Sequence, residues 1–221
     1  MNQFPDIAEL QAVLFDFDGV VVQSEDVYDR VTEKLAAHYD AEIPSSFCNE
    51  NRGIAIALFY QRFKTAIKLN IGDRELEENC RRILWDEFST SVQFTQGFNQ
   101  FFDKIRGQVP QVALVTATSR PLIEKIFQSS NITVDFDQIV TANDVKRDKP
   151  APDPYLMACT LLGVKPGRAL VIEDSPTGLR SATEAGCQTV GITTSCDRES
   201  LKEANFVVDS FGELEELLTI V

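Results

Sequence analysis

The sequence predicts an α/β fold: a mostly parallel sheet with helices on both faces, plus an all-α domain inserted after the first strand. Two observations carry this. Short apolar runs alternate with amphipathic stretches over most of the 221 residues, as strand–helix–strand units do. From about residue 25 to about residue 95 only helical patterning is found, far more chain than one crossover needs. The expected division is residues 1–24 and 96–221 as an α/β core and residues 25–95 as a helical cap.

The first expected strand is Ala12–Phe15, an apolar run ending in Asp16-Phe17-Asp18-Gly19, where the glycine permits a tight turn. In the inserted stretch Tyr28, Val31, Leu35 and Tyr39 recur at three- and four-residue spacing. Ile54, Leu58 and Phe63 do so less regularly, and Leu76, Ile83, Leu84 and Trp85 stand among charges. Further strands are expected at Val112–Val115, Gln138–Thr141, Ala169–Ile172, Thr189–Ile192 and Phe206–Val208, which makes the core sheet Rossmann-like. Helices are expected over Leu122–Gln128, Tyr155–Leu162 and Gly178–Ala185. Asp153-Pro154 and Ser175-Pro176 each read as an N-cap followed by proline at the first helical position, with Gly163 and Gly186 as stops. A closing helix over Gly212–Ile220 should dock through Leu214, Leu217 and Leu218.

Lys+Arg total 21 against Asp+Glu 34, a net charge of −13. Such a field repels nucleic acid and anionic lipid, so neither is an expected partner, and a site for an anionic small molecule must carry its own cations. The five cysteines are odd in number and lack Cys-x-x-Cys spacing, which reads as free thiols in a reducing compartment. Met1 to Glu9 holds no apolar signal region and no run is long enough to span a bilayer, so a cytoplasmic protein is expected, as a monomer.

The chemistry gathers where expected strands end, the edge at which open α/β sheets bind ligands. Asp16 and Asp18 follow the first strand. Thr116 follows the second, among small residues such as Ala117 that let backbone amides approach an anion. Lys149, beside Pro150, follows the third in a stiff loop, and Glu173-Asp174 ends the fourth. Singly, these read as a solvated turn, a helix cap, a surface lysine and an acidic helix start. Four landmarks at four strand ends escape that reading. Carboxylates so crowded would raise one another's pKa values. They become favourable with a divalent cation and the Lys149 ammonium, and an oxygen-only ligand set suits Mg²⁺.

These motifs resemble those of the haloacid dehalogenase superfamily, in the branch with a helical cap that includes β-phosphoglucomutase and phosphoglycolate phosphatase. The four are Asp16-Phe17-Asp18-Gly19, Thr116 in Val-Thr-Ala-Thr-Ser, Lys149 in Asp-Lys-Pro-Ala-Pro-Asp, and Glu173-Asp174 in Ile-Glu-Asp-Ser-Pro-Thr-Gly. The resemblance implies a phosphatase acting on a small phosphorylated metabolite, with Asp16 as nucleophile and Asp18 as general acid and base. By the same resemblance Thr116, Ala117 and Lys149 hold the phosphate, and Asp16, Asp18, Glu173 and Asp174 hold Mg²⁺. Carbon–halogen hydrolysis in that superfamily does without Asp18 and the metal, so dehalogenation is not expected.

Departures from the pattern bear on the reaction. Gln23 stands where the branch commonly has a third aspartate, Tyr28 aligns with a histidine of the mutases, and Ile56 aligns with their cap arginine. The one histidine, His38, is expected on the first cap helix in a structural or exposed place. Ser24, Tyr28, Arg52, Arg81 and Arg82 remain as candidate cap contacts for substrate. A phosphomutase and a non-catalytic phospho-ligand sensor are the alternatives.

Overall fold

The structure is a computed structural model that describes residues 4–51, 56–129 and 134–218. The core strands are β1 (Ala12–Phe15), β4 (Gln111–Val115), β5 (Gln138–Val140), β6 (Ala169–Glu173), β7 (Gln188–Ile192) and β8 (Phe206–Val208). They form one parallel sheet in the order β5-β4-β1-β6-β7-β8. The order runs outward from β1 in both directions, as in doubly wound folds, so the switch point lies at β1. All four residues of β1 are buried, as a central parallel strand requires.

Strand parity sorts the core into two layers. Val13 and Phe15 face one side, where Phe98, Phe101 and Phe102 of α5 (Phe98–Arg106), Ile123 of α6 (Arg120–Ser129) and Phe211 of α9 (Phe211–Leu217) pack. Ala12 and Leu14 face the other with Ala169 and Val171 of β6. There they meet Tyr155 and Ala158 of α7 (Asp153–Leu162) and Ala182 of α8 (Pro176–Glu184). Phe15 alone touches four phenylalanine rings at 5.6 to 6.3 Å.

Between β1 and α5 the chain forms α1 (Glu25–His38), α2 (Phe47–Glu50), α3 (Ile56–Ala66) and α4 (Asp73–Ser91). On α1 the buried Val27, Val31 and Leu35 are four residues apart, one stripe of the helix. Arg30 bonds Glu87 of α4 at 3.2 Å and Lys34 pairs with the same carboxylate. The expectation of helix alone here needs one correction. Val22–Gln23 (β2) and Gln93–Phe94 (β3) form a short antiparallel pair at the root of the helical segment.

Three more expectations are corrected. Asp153 does not cap α7, whose N-cap is Pro152; its carboxylate is taken by Arg147 at 2.7 and 3.1 Å. Thr141 is not a strand residue but opens a 3-10 turn, in a capping box with Asp144. Leu217 is 44% exposed; Leu214 and Leu218 dock the last helix without it. Ser175 caps α8 through Gly178 N at 3.1 Å, and Gly163 ends α7 in the left-handed region, both as expected. His38 is the exposed last residue of α1, and all five cysteines are free. No described helix is long and apolar enough to cross a membrane.

Candidate active site

Parity also aims the catalytic candidates. The Asp16 N–H donates to Ile172 O at 3.1 Å, so the ladder runs one residue past β1 and Asp16 continues the Ala12/Leu14 side. Glu173, last in β6, shares the side of Ala169 and Val171. Into that layer comes Lys149 from the loop before α7. Its ammonium donates to Asp16 Oδ1 at 2.7 Å, Glu173 Oε1 at 2.7 Å and Val115 O at 2.9 Å. One buried cation therefore ties the ends of β1, β4 and β6.

Glu173 is fully buried, and both its oxygens accept hydrogen bonds. Oε1 also accepts from Tyr155 Oη at 2.7 Å; Oε2 accepts from Ser175 Oγ at 3.0 Å and from the amides of Asp174 and Ser175 at 3.2 and 3.3 Å. Asp174 accepts from Ser195 Oγ. Asp16, Glu173 and Asp174 each offer an oxygen, and those oxygens lie within 4.8 Å of one another. This donor set fits a hard divalent cation.

Asp18 lies past the strand. Thr118 Oγ1 donates to its Oδ2 at 2.8 Å and Tyr28 Oη to its Oδ1 at 3.3 Å. Buried Thr116 accepts the Thr118 N–H on Oγ1 at 2.9 Å, which leaves its own proton to donate; Ala117 is exposed between them. Gly19 adopts φ +72, and a Cβ there would lie 1.7 Å from Asp174 Oδ2. Only glycine makes this turn.

Burial and Glu173 raise the Asp16 carboxyl to about 7, offset in part by Lys149. Burial, then Asp16 and Glu173, hold Asp174 well above the ordinary carboxyl value. Burial raises Asp18 too, and its hydroxyl donors pull the other way. For Lys149, burial favours the neutral amine, but Asp16 and Glu173 outweigh it and the ammonium holds its proton more tightly than an ordinary lysine.

Thus Asp16, Lys149, Glu173 and Asp174 come together, with Asp18 and Thr116 linked through Thr118. Ser24 is buried and Tyr28 reaches Asp18. Arg81 and Arg82 are exposed on α4, and Arg82 bonds Asn79 of its own helix at 3.3 Å. Arg52 lies outside the described residues. Three participants were not singled out from sequence: Thr118, Tyr155 and Ser195. Thr118 sat in view, two residues past Thr116; Tyr155 looked like an ordinary core position, and Ser195 carried no signal. A cavity of about 640 Å³ is lined by Gly19, Gln23, Thr95, Ser195 and Ser210 but by none of Asp16, Asp18, Thr116 and Lys149. The site is defined by converging side chains instead.

A parallel sheet with clustered carboxylates and a buried ammonium at its switch point is an arrangement suited to an α/β enzyme that handles phosphate esters. The family model for haloacid dehalogenase-like hydrolases matches residues 13–192, and the chain belongs to that family. It is an enzyme of that family, a phosphoric monoester hydrolase. The chain is 28% identical to the phosphorylated carbohydrates phosphatase of Thermotoga maritima, over 96% of this chain and 98% of that one. It is 27% identical to the validoxylamine A 7'-phosphate phosphatase of Streptomyces hygroscopicus subsp. limoneus, over 92% and 95%. The crystal structure of β-phosphoglucomutase from Clostridium difficile superposes with a TM-score of 0.73 at 24% identity, covering 95% and 97%; that likeness is one of fold.

Proposed function

We propose that this enzyme is a cytoplasmic, monomeric, Mg²⁺-dependent phosphatase of small phosphorylated sugars or similar metabolites, working through a phospho-aspartate at Asp16. The observation that carries the reading is the clustering of Asp16, Glu173 and Asp174 oxygens within 4.8 Å of one another beside the Lys149 ammonium. The names of the two curated relatives support the substrate class.

Asp16 attacks phosphorus, the bond to the leaving oxygen breaks, and Asp18 gives that oxygen its proton. Asp18 then takes a proton from water, whose oxygen displaces Asp16 and frees phosphate. Splitting one displacement into two lowers each barrier. Burial raises the proton affinity of half-buried Asp18, which favours its acting as an acid. Thr116 and the amide of Ala117 hold the transferring oxygens, and the positive charge of Lys149 beside them stabilises negative charge as it develops. Asp16, the Asp18 carbonyl, Glu173 and Asp174 would hold Mg²⁺, which when bound screens the approaching phosphate from the attacking carboxylate. Residues 25–95 act as a cap that closes on the substrate, with Ser24 and Tyr28 at its root and Arg52, Arg81 and Arg82 as candidate contacts.

The phosphomutase alternative lacks its usual groups here, since Tyr28 and an exposed Ile56 stand where mutases have histidine and arginine. Phosphate release from p-nitrophenyl phosphate, then from a panel of sugar phosphates, with Mg²⁺ or EDTA, tests the reading. Glucose 1-phosphate with a bisphosphate activator separates the reactions: free phosphate supports a phosphatase, isomerised sugar a mutase. No Mg²⁺-dependent turnover of any of them overturns the proposal.

A further inference from the structure

The phosphatase reading uses Lys149 and Glu173 but not the group that touches both. Tyr155, in the first turn of α7, is fully buried. Its hydroxyl donates to Glu173 Oε1 at 2.7 Å, the same oxygen that takes the Lys149 ammonium at 2.7 Å. Its ring also walls the ammonium, with Lys149 Nζ 5.1 Å from the centroid. We propose that Tyr155 is a positioning residue for phosphoryl transfer, fixing the Lys149 ammonium against Asp16 by a hydrogen bond to Glu173 and by the face of its ring.

Geometry supplies the reason. A lysine ammonium is a point charge on a flexible stem and does not choose among several carboxylates by itself. Lys149 faces two, Asp16 just past β1 and Glu173 at the end of β6. Tyr155 and the three donors on Oε2 hold Glu173 in one orientation, so the ammonium has one resting point, shared with Asp16 and Val115 O. A hydrocarbon in place of the ring would fill the same space without attracting the cation. A phenylalanine would keep the wall and release the carboxylate. The two contributions are therefore separable.

The inference rests on the phosphatase reading for its kinetic part only. In Tyr155→Phe, kcat for p-nitrophenyl phosphate should fall about tenfold with KM within about twofold, as one hydrogen bond to a charged group allows. Tyr155→Leu should lose about another threefold, a typical cation–π contribution. Added to Lys149→Met, Tyr155→Phe should cost less than about twofold, because residues acting through one group are not additive. A tyrosine serving only the core would instead show equal losses in both backgrounds. Independently of turnover, the buried ammonium should give a protected lysine ¹⁵N signal that Lys149→Met removes and Tyr155→Phe broadens. If the wild type has no phosphatase activity, the functional reading fails and the lysine signal alone decides this one. An unchanged signal in Tyr155→Phe, or additive kinetic losses, overturns the inference.

Discussion

A Cβ on Gly178 would stand 1.7 Å from Glu173 Oε1, inside the carboxylate itself. Glu173 has no room to retreat: Lys149, Tyr155, Ser175 and the Asp174 amide hold its two oxygens. Gly178→Ala must break part of that set and leave buried polar groups unpaired, at a cost of about 3 kcal/mol or more. Gly72, at the start of α4, has nothing within 4 Å of a built Cβ. Gly72→Ala should change stability by less than about 1 kcal/mol. Urea unfolding of both variants checks the pair, and equal losses would refute the account.

Asp16 separates activity from stability. On the proposed mechanism Asp16→Asn should lower kcat at least about a thousandfold, with no phospho-enzyme trapped on acid quench. The same change relieves a buried negative charge whose proton affinity is raised to about 7, by burial first and by Glu173 second. At about pH 8 in EDTA the variant should melt no lower than the wild type. Calorimetry decides; a markedly lower melting temperature would mean that the charge stabilises the apo fold through Lys149.

The pH dependence of stability has a definite sign. Between the unfolded carboxyl value of 3.8 and about 7, folded Asp16 keeps a proton that the unfolded chain releases. Asp174 is shifted the same way by burial, Asp16 and Glu173. A folded state that binds more protons loses stability as pH rises through that window. In EDTA the melting temperature should drop by at least about 3 °C from about pH 5 to about pH 8. Millimolar Mg²⁺ should remove most of the drop at pH 8, because a cation bound only by the folded chain stabilises it. A melting temperature that rises over this range in EDTA would contradict the electrostatics of the site.

Why some of this was readable in the sequence follows from what each residue interacts with. Asp16, Thr116, Lys149 and Glu173-Asp174 follow apolar runs or sit beside prolines, so local pattern and chemistry coincide at one address. Gln93–Phe94 is too short to have a period; it is a strand only because Val22–Gln23, some seventy residues earlier, pairs with it. Leu217 matched the helical spacing, yet the turn at Leu218 buries the later leucine. Tyr155 has the pattern of a core residue and is one, apart from a hydroxyl whose partner, Glu173, stands at the end of β6. Pairings distant in sequence leave no local trace.

Asp18 offers a graded test of how its donors contribute. Thr118 Oγ1 lies 2.8 Å from Oδ2, whereas Tyr28 Oη lies 3.3 Å from Oδ1, near the limit of a hydrogen bond. Thr118 belongs to the core loop after β4; Tyr28 belongs to α1, where its ring meets Phe88 edge-on at 5.2 Å. Thr118→Val keeps the shape and removes the short bond, and should lower kcat about tenfold. Tyr28→Phe keeps the ring contact and removes the long bond, for a loss of about threefold or less. Steady-state kinetics at saturating substrate ranks them. If Tyr28→Phe costs more than Thr118→Val, the helix α1 hydroxyl, not the core loop, governs the acid–base role proposed for Asp18.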